Sequence, residues 1–129
     1  MTNEKLTFLL LKDRYAVCRL DSTAEIPDLA EGGEFCSITK TPDELSVVCS
    51  EDNLPMGAKC EKGWRVLKIQ GLLDFALTGI LASAAVILAN QKISIFALST
   101  FNTDYILVKE EQINNAITAL QEAGHTVNL

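Results

Sequence analysis

The chain has 129 residues, a formal net charge of −6 and a pI of about 4.7. Hydrophobic residues make up 48% of it and the mean hydropathy is +0.19, enough for a packed core and too much for extended disorder. With 11 Lys and Arg against 17 Asp and Glu, and no run of basic residues, binding to a nucleic-acid backbone is not expected.

In chain order, Leu6–Leu11 and Tyr15–Leu20 are apolar runs separated by Lys12-Asp13-Arg14, which reads as a hairpin. The stretch before them has no long apolar core and no small-residue cleavage site, so no signal peptide and a cytoplasmic location are expected. Asp21–Gly33 is acidic, holds Pro27, Gly32 and Gly33, and predicts at most a short helical turn over Glu25–Glu31. Phe35–Thr39 and Leu45–Cys49 read as strands around the turn-forming Lys40-Thr41-Pro42-Asp43-Glu44. Glu51–Gly63 is a connector with room for one helical turn, and Trp64–Ile69 is a strand ending at Gln70-Gly71.

Leu72–Leu77 reads as an apolar loop interrupted by Asp74. Ile80–Asn90 has Ile80, Leu81, Ala84, Ile87 and Leu88 at helical spacing, with Thr78 as the expected N-cap. Asp74, Thr78, Gly79 and Ser83 interrupt Leu72–Ala89 too often for a membrane-spanning helix. Ile93–Leu98 and Tyr105–Val108 are strands joined by Ser99-Thr100-Phe101-Asn102-Thr103-Asp104, a polar turn with one carboxylate. That carboxylate either closes the turn locally or faces a ligand. Glu110–Ala123 carries acids in its first turn and an Ile113, Ala116, Ile117, Leu120 stripe, so it reads as a helix capped by Gly124. His125–Leu129 is a last strand, with His125 expected half-exposed there.

From Trp64 onward the order is strand, helix, strand, strand, helix, strand. This is the ferredoxin-like βαββαβ pattern of the α+β class, with both helices on one face of an antiparallel sheet. The segments from Phe35 to Asp43 and from Phe96 to Asp104 share Phe-x-x-x-Thr-x-x-x-Asp, an internal echo that reads as a tandem duplication. The expected domains are a shortened 1–60, whose first helix has decayed, and a fuller 61–129.

Catalytic chemistry has little to stand on. Cys18, Cys36, Cys49 and Cys60 form no C-x-x-C pair, so no metal or other cofactor is expected, and Cys18, Cys36 and Cys49 read as small buried hydrophobes in a reducing compartment. Ser83 and Ser99 have no base beside them in the sequence, and no phosphate-binding glycine loop is present. The chain is therefore expected to be non-enzymatic, with no catalytic residue.

Ser99 to Val108 resembles the central signature of ACT domains, and is most similar to the small tandem-ACT proteins of bacteria related to the CASTOR arginine sensors of animals. The resemblance extends through Gly79-Ile80-Leu81-Ala82-Ser83, Trp64-Arg65-Val66-Leu67 and Phe35 to Glu44, and covers most of Leu6 to Val127. It implies the ACT fold and a regulatory module that binds a free amino acid where two ACT units meet. It places ligand contacts at Asp74, Thr78, Gly79, Ile80 and Ser83, and at Thr100, Asn102 and Asp104. The sensors have four ACT units and this chain has two, so the resemblance implies a homodimer.

Those residue types suit a zwitterion. The first amides of a helix favour a carboxylate, a glycine lets a ligand approach the backbone, and an aspartate takes an ammonium or a basic side chain. The alternative is a structural interaction or dimerisation module, with a protein partner and no small-molecule ligand.

Overall fold

The structure is a computed structural model and describes residues 5–28, 34–70 and 79–129. Its elements are β1 (Thr7–Leu10), β2 (Tyr15–Leu20), β3 (Ser37–Lys40), β4 (Leu45–Ser50), β5 (Lys59–Ile69), α1 (Ile80–Asn90), β6 (Ile95–Ser99), β7 (Asp104–Lys109), α2 (Ile113–Glu122) and β8 (Thr126–Asn128). They fall into two compact units, Met1–Leu11 with Arg65–Leu129 (the helical unit) and Lys12–Trp64 (the 12–64 unit).

In the helical unit the strands lie in the order β6-β7-β5-β1-β8. A plain βαββαβ sheet would set β8 beside β5. Here β1 takes that place, antiparallel to β5 through Phe8↔Ile69 and Leu10↔Leu67, and parallel to β8 through Thr7↔Thr126 and Leu9↔Asn128. The wedge is bonded on both sides. Gln70 N–H donates to the Thr7 carbonyl at 2.8 Å, and Thr126 N–H to the Leu6 carbonyl at 2.9 Å. Alternation along the strands then turns Phe8, Leu67, Ile69, Ile106, Val108 and Val127 toward the helices. They pack with Ile80, Ala84 and Leu88 of α1 and Ile113, Ala116 and Leu120 of α2. Of the expected stripes, Ile80, Ala84 and Leu88 and then Ile113, Ala116 and Leu120 are buried, with Ala119 added to the second, while Leu81, Ile87 and Ile117 are partly buried against the same core.

The 12–64 unit has strand order β3-β4-β2-β5. Its described residues hold no α-helix, only the 3-10 turn Glu51–Asn53. One face of its sheet buries Ala16, Cys18, Leu45, Val47 and Cys49. Tyr15 is fully buried, and its ring meets that of Phe35 edge to face, with centroids 5.9 Å apart.

Several expectations change. The hairpin expected between Leu6–Leu11 and Tyr15–Leu20 does not form. The apolar runs are indifferent to partner, and each strand pairs with its own half of β5. The first strand belongs to the same compact unit as the C-terminal residues. The sheet is mixed rather than antiparallel, through the β1–β8 pair. β5 begins at Lys59, five residues before the expected strand, and pairs with β2 from its start. Cys18 and Cys60 are joined by a disulfide instead of lying free, and Cys36 is exposed. Residues 25–28 of the expected Glu25–Glu31 turn are not helical, and its remaining residues lie outside those described. The loop expected over Leu72–Leu77 lies outside them as well. Among the described residues no helix is long and apolar enough to cross a membrane.

His125 is also corrected, from half-exposed to buried. Its Nδ1 accepts the Leu6 N–H at 3.0 Å, and its ring stands edge-on to Phe8. The bond needs a neutral ring. Burial, and then the nearby Lys5 ammonium, hold the imidazole below its ordinary value of 6.5. A depressed histidine leaves the fold at full strength above the unfolded value and costs stability as the pH falls below it. Denaturant midpoints measured between about pH 7.5 and 5 should therefore fall with acid, and His125→Gln should flatten part of that slope. Breaking the Cys18–Cys60 bond, which closes a separation of 42 residues, should be costlier. In the chain-entropy model Cys60→Ser lowers the unfolding free energy by about 4 kcal/mol, readable by urea denaturation.

Candidate functional site

The β6–β7 hairpin closes on the pair Ser99↔Asp104. Between them the chain makes a four-residue turn tied by Thr100. Its N–H donates to the Thr103 carbonyl at 2.8 Å, and its hydroxyl donates to the same carbonyl and accepts the Thr103 N–H. Thr103 is itself buried, and its hydroxyl donates to the Ile69 carbonyl at 2.6 Å. This bond pins the turn to the last residue of β5. At the closing pair the Ser99 hydroxyl donates to Asp104 Oδ1 at 2.5 Å. The residue is half-buried.

Of the expected ligand contacts, Thr100, Asn102 and Asp104 thus share one turn. They are not equivalent. Asn102 is exposed at the tip, while the Thr100 hydroxyl is already spent within the turn. Gly79, Ile80 and Ser83 open α1. Gly79 is exposed, sits at φ +76° and is the helix N-cap, in place of the expected Thr78. A Cβ there would meet no atom within 4 Å, but the left-handed backbone itself favours glycine. No side chain caps the helix, and Ser83 N–H makes the first intrahelical bond back to the Gly79 carbonyl at 2.8 Å. The N–H groups of residues 80 to 82 are therefore the donors that helix geometry leaves without an intrahelical acceptor. Ile80 offers only its backbone, because its side chain is in the core. Ser83 is half-buried. Asp74 and Thr78 lie outside the described residues.

Ser99 and Thr103 were not among the expected contacts, yet they orient the carboxylate and anchor the turn. Their signal was present as hydroxyl residues one place before and three places after Thr100.

The β3–β4 turn has the same wiring. Its closing pair is Lys40↔Leu45, Thr41 N–H donates to the Glu44 carbonyl, and the Thr41 hydroxyl donates to that carbonyl and accepts the Glu44 N–H. Thr41 therefore corresponds to Thr100, an offset of 59 residues that also superposes β4 on β7 and the 3-10 turn Glu51–Asn53 on Glu110–Gln112. The Phe-x-x-x-Thr-x-x-x-Asp echo aligned Thr39 with Thr100 and is two residues out of this register. In the corrected register Asp104 corresponds to Leu45, which is fully buried. The carboxylate belongs to the helical unit alone.

A family model described as an ACT domain matches residues 59–122, and a second, of an N-terminal domain, matches residues 13–57. A crystal structure of a protein from Agobacterium tumefaciens superposes with a TM-score of 0.88 at 37% identity, covering 96% of this chain and 92% of that one. The human "Cytosolic arginine sensor for mTORC1 subunit 1" is 30% identical over 100 residues, 69% of this chain. The match spans 30% of that relative's length, so the chain corresponds to about a third of the curated sensors it matches. The ligand-free regulatory subunit of aspartate kinase from Thermus thermophilus shares the fold, with a TM-score of 0.64 at 13% identity and coverage of 91% and 96%.

The pin at Thr103 is testable. Thr103→Val keeps the shape and leaves the Ile69 carbonyl without its donor, which should cost about 1–3 kcal/mol of stability in urea denaturation.

Proposed function

The chain belongs to the ACT-domain family, and from that premise we propose that it is a non-enzymatic regulatory module that binds a free amino acid. The observation that carries this reading is Asp104: a half-buried carboxylate, one oxygen held by Ser99, on a turn bolted to β5 through Thr103. Asp104 takes the ligand's ammonium or a basic side chain by a charge-assisted bond, and the Ile80, Leu81 and Ala82 amides take its carboxylate at the positive end of α1. Gly79 keeps the approach to those amides open. Asp74, Thr78, Ser83, Thr100 and Asn102 complete the proposed set. The names of the relatives, an arginine sensor and a regulatory subunit of aspartate kinase, support an amino acid as the ligand class. The two units descend from one duplicated segment in the offset-59 register, two chains pair as a homodimer to complete the ACT–ACT interface, and the protein works in the cytoplasm.

A thermal-shift screen against the common amino acids tests this directly. At 100 times the dissociation constant the true ligand should add about 2.7 kcal/mol to stability. Asp104→Ala should remove the response while the unliganded chain still melts cooperatively. A flat response to every amino acid at millimolar concentration would leave the structural interaction module as the reading.

A further inference from the structure

All the cysteines lie in the 12–64 unit, and the strand register sets one pair of them face to face. Cys18↔Cys60 is a β2–β5 pair and is disulfide-bonded, with Cα atoms 4.1 Å apart. On the other side of the sheet the β3–β4 ladder runs Lys40↔Leu45, Ile38↔Val47, Ser37↔Val48. Carried one residue beyond the start of β3, the same register sets Cys36 opposite Cys49.

The kind of rung matters. In an antiparallel ladder, rungs that exchange backbone bonds alternate with rungs that do not, and in the latter the side chains approach more closely. Glu51 N–H bonds the Arg14 carbonyl, so counting along β2–β4 turns the backbone of Cys49 toward Ala16 and that of Cys18 toward Val47. Both cysteines therefore meet their other neighbours, Cys36 and Cys60, across non-bonded rungs. Counting from the Thr41–Glu44 bond along β3–β4 gives the same answer for Cys36↔Cys49. Cys36 occupies the kind of position from which Cys60 already reaches Cys18. Their proximity shows in the thiols as well. Burial, and then the charge of Cys36, push the Cys49 thiol up.

We propose that Cys36 and Cys49 form a reversible dithiol, a redox site that closes to a second cross-strand disulfide. The roles follow from exposure: Cys36 is exposed and Cys49 buried. With glutathione disulfide as oxidant, the Cys36 thiolate attacks one sulfur and releases one glutathione thiolate. Cys49, losing its proton, then attacks the Cys36 sulfur of the mixed disulfide and releases the second. Two protein thiols are oxidised and one glutathione disulfide is reduced to two glutathiones. Closure staples edge strand β3 to β4, as Cys18–Cys60 staples β5 to β2. The described part of this unit has no α-helix to brace its sheet, so the staples serve that purpose.

The test is intact-mass and peptide mapping of the full chain, titrated through glutathione redox buffers after mild reduction. The expected result is a Cys36–Cys49 cross-linked peptide, a loss of about 2 Da, that reopens with dithiothreitol. In Cys49→Ser the glutathione adduct on Cys36 should persist, and in Cys36→Ser the second bond should never form. Oxidation that leaves Cys36 only as a glutathione adduct in the wild-type chain, or that links it to another chain, would overturn the proposal. Circular dichroism of both variants separates a lost bond from a lost fold.

Discussion

Two strands grip the C-terminal half of β5, β1 on one side and β7 on the other. Everything in the helical unit is referred to that grip. On the β1 side the wedge is held by ladder bonds to both neighbours and by a buried imidazole, so the edge of the sheet that β8 supplies depends on a segment more than a hundred residues away in sequence. On the β7 side the Thr103 hydroxyl reaches the Ile69 carbonyl and fixes the β6–β7 turn at the end of β5. The chain leaves β5 there, and α1 follows. The β6–β7 turn is thus anchored to that strand end, and the carboxylate at 104 is oriented within it through Ser99.

The two units share a local plan and differ in what was built on it. Both have a hairpin with the same threonine-tied turn and a 3-10 turn after the return strand. In the helical unit that scaffold carries α1, α2 and an aspartate at the closing pair. In the 12–64 unit the described residues have no helix, and a buried leucine stands in the aspartate's place. Its core is correspondingly smaller, and a disulfide takes over part of the restraint that helix packing supplies elsewhere.

Local structure was largely legible in the sequence. The period of the apolar residues located α1 to the residue, and the apolar runs with their turn residues located β3, β4, β6 and β7 within a residue or two. The resemblance to ACT domains fixed the fold class. What was not legible were the partners. An apolar run such as Leu6–Leu11 says that it will be buried but not beside which strand, so β1's place between β5 and β8 was missed. Cysteine spacing likewise does not announce a disulfide made by register, and Cys18, expected as a small buried hydrophobe, is bonded to Cys60. At the site, Asp104 and Gly79 stood out by residue type, whereas Ser99 and Thr103 matter through where their hydroxyls point, which only the hairpin register reveals.

The central claim is that the turn around Asp104 and the start of α1 hold one amino acid. Backbone amide NMR of the isotopically labelled chain during titration with the amino acid that stabilises it tests this most directly. The account predicts shifts concentrated at Gly79–Ser83 and Ser99–Asp104, with the corresponding Lys40–Leu45 turn unmoved. Saturable shifts confined to other residues, with both of those segments silent, would contradict it.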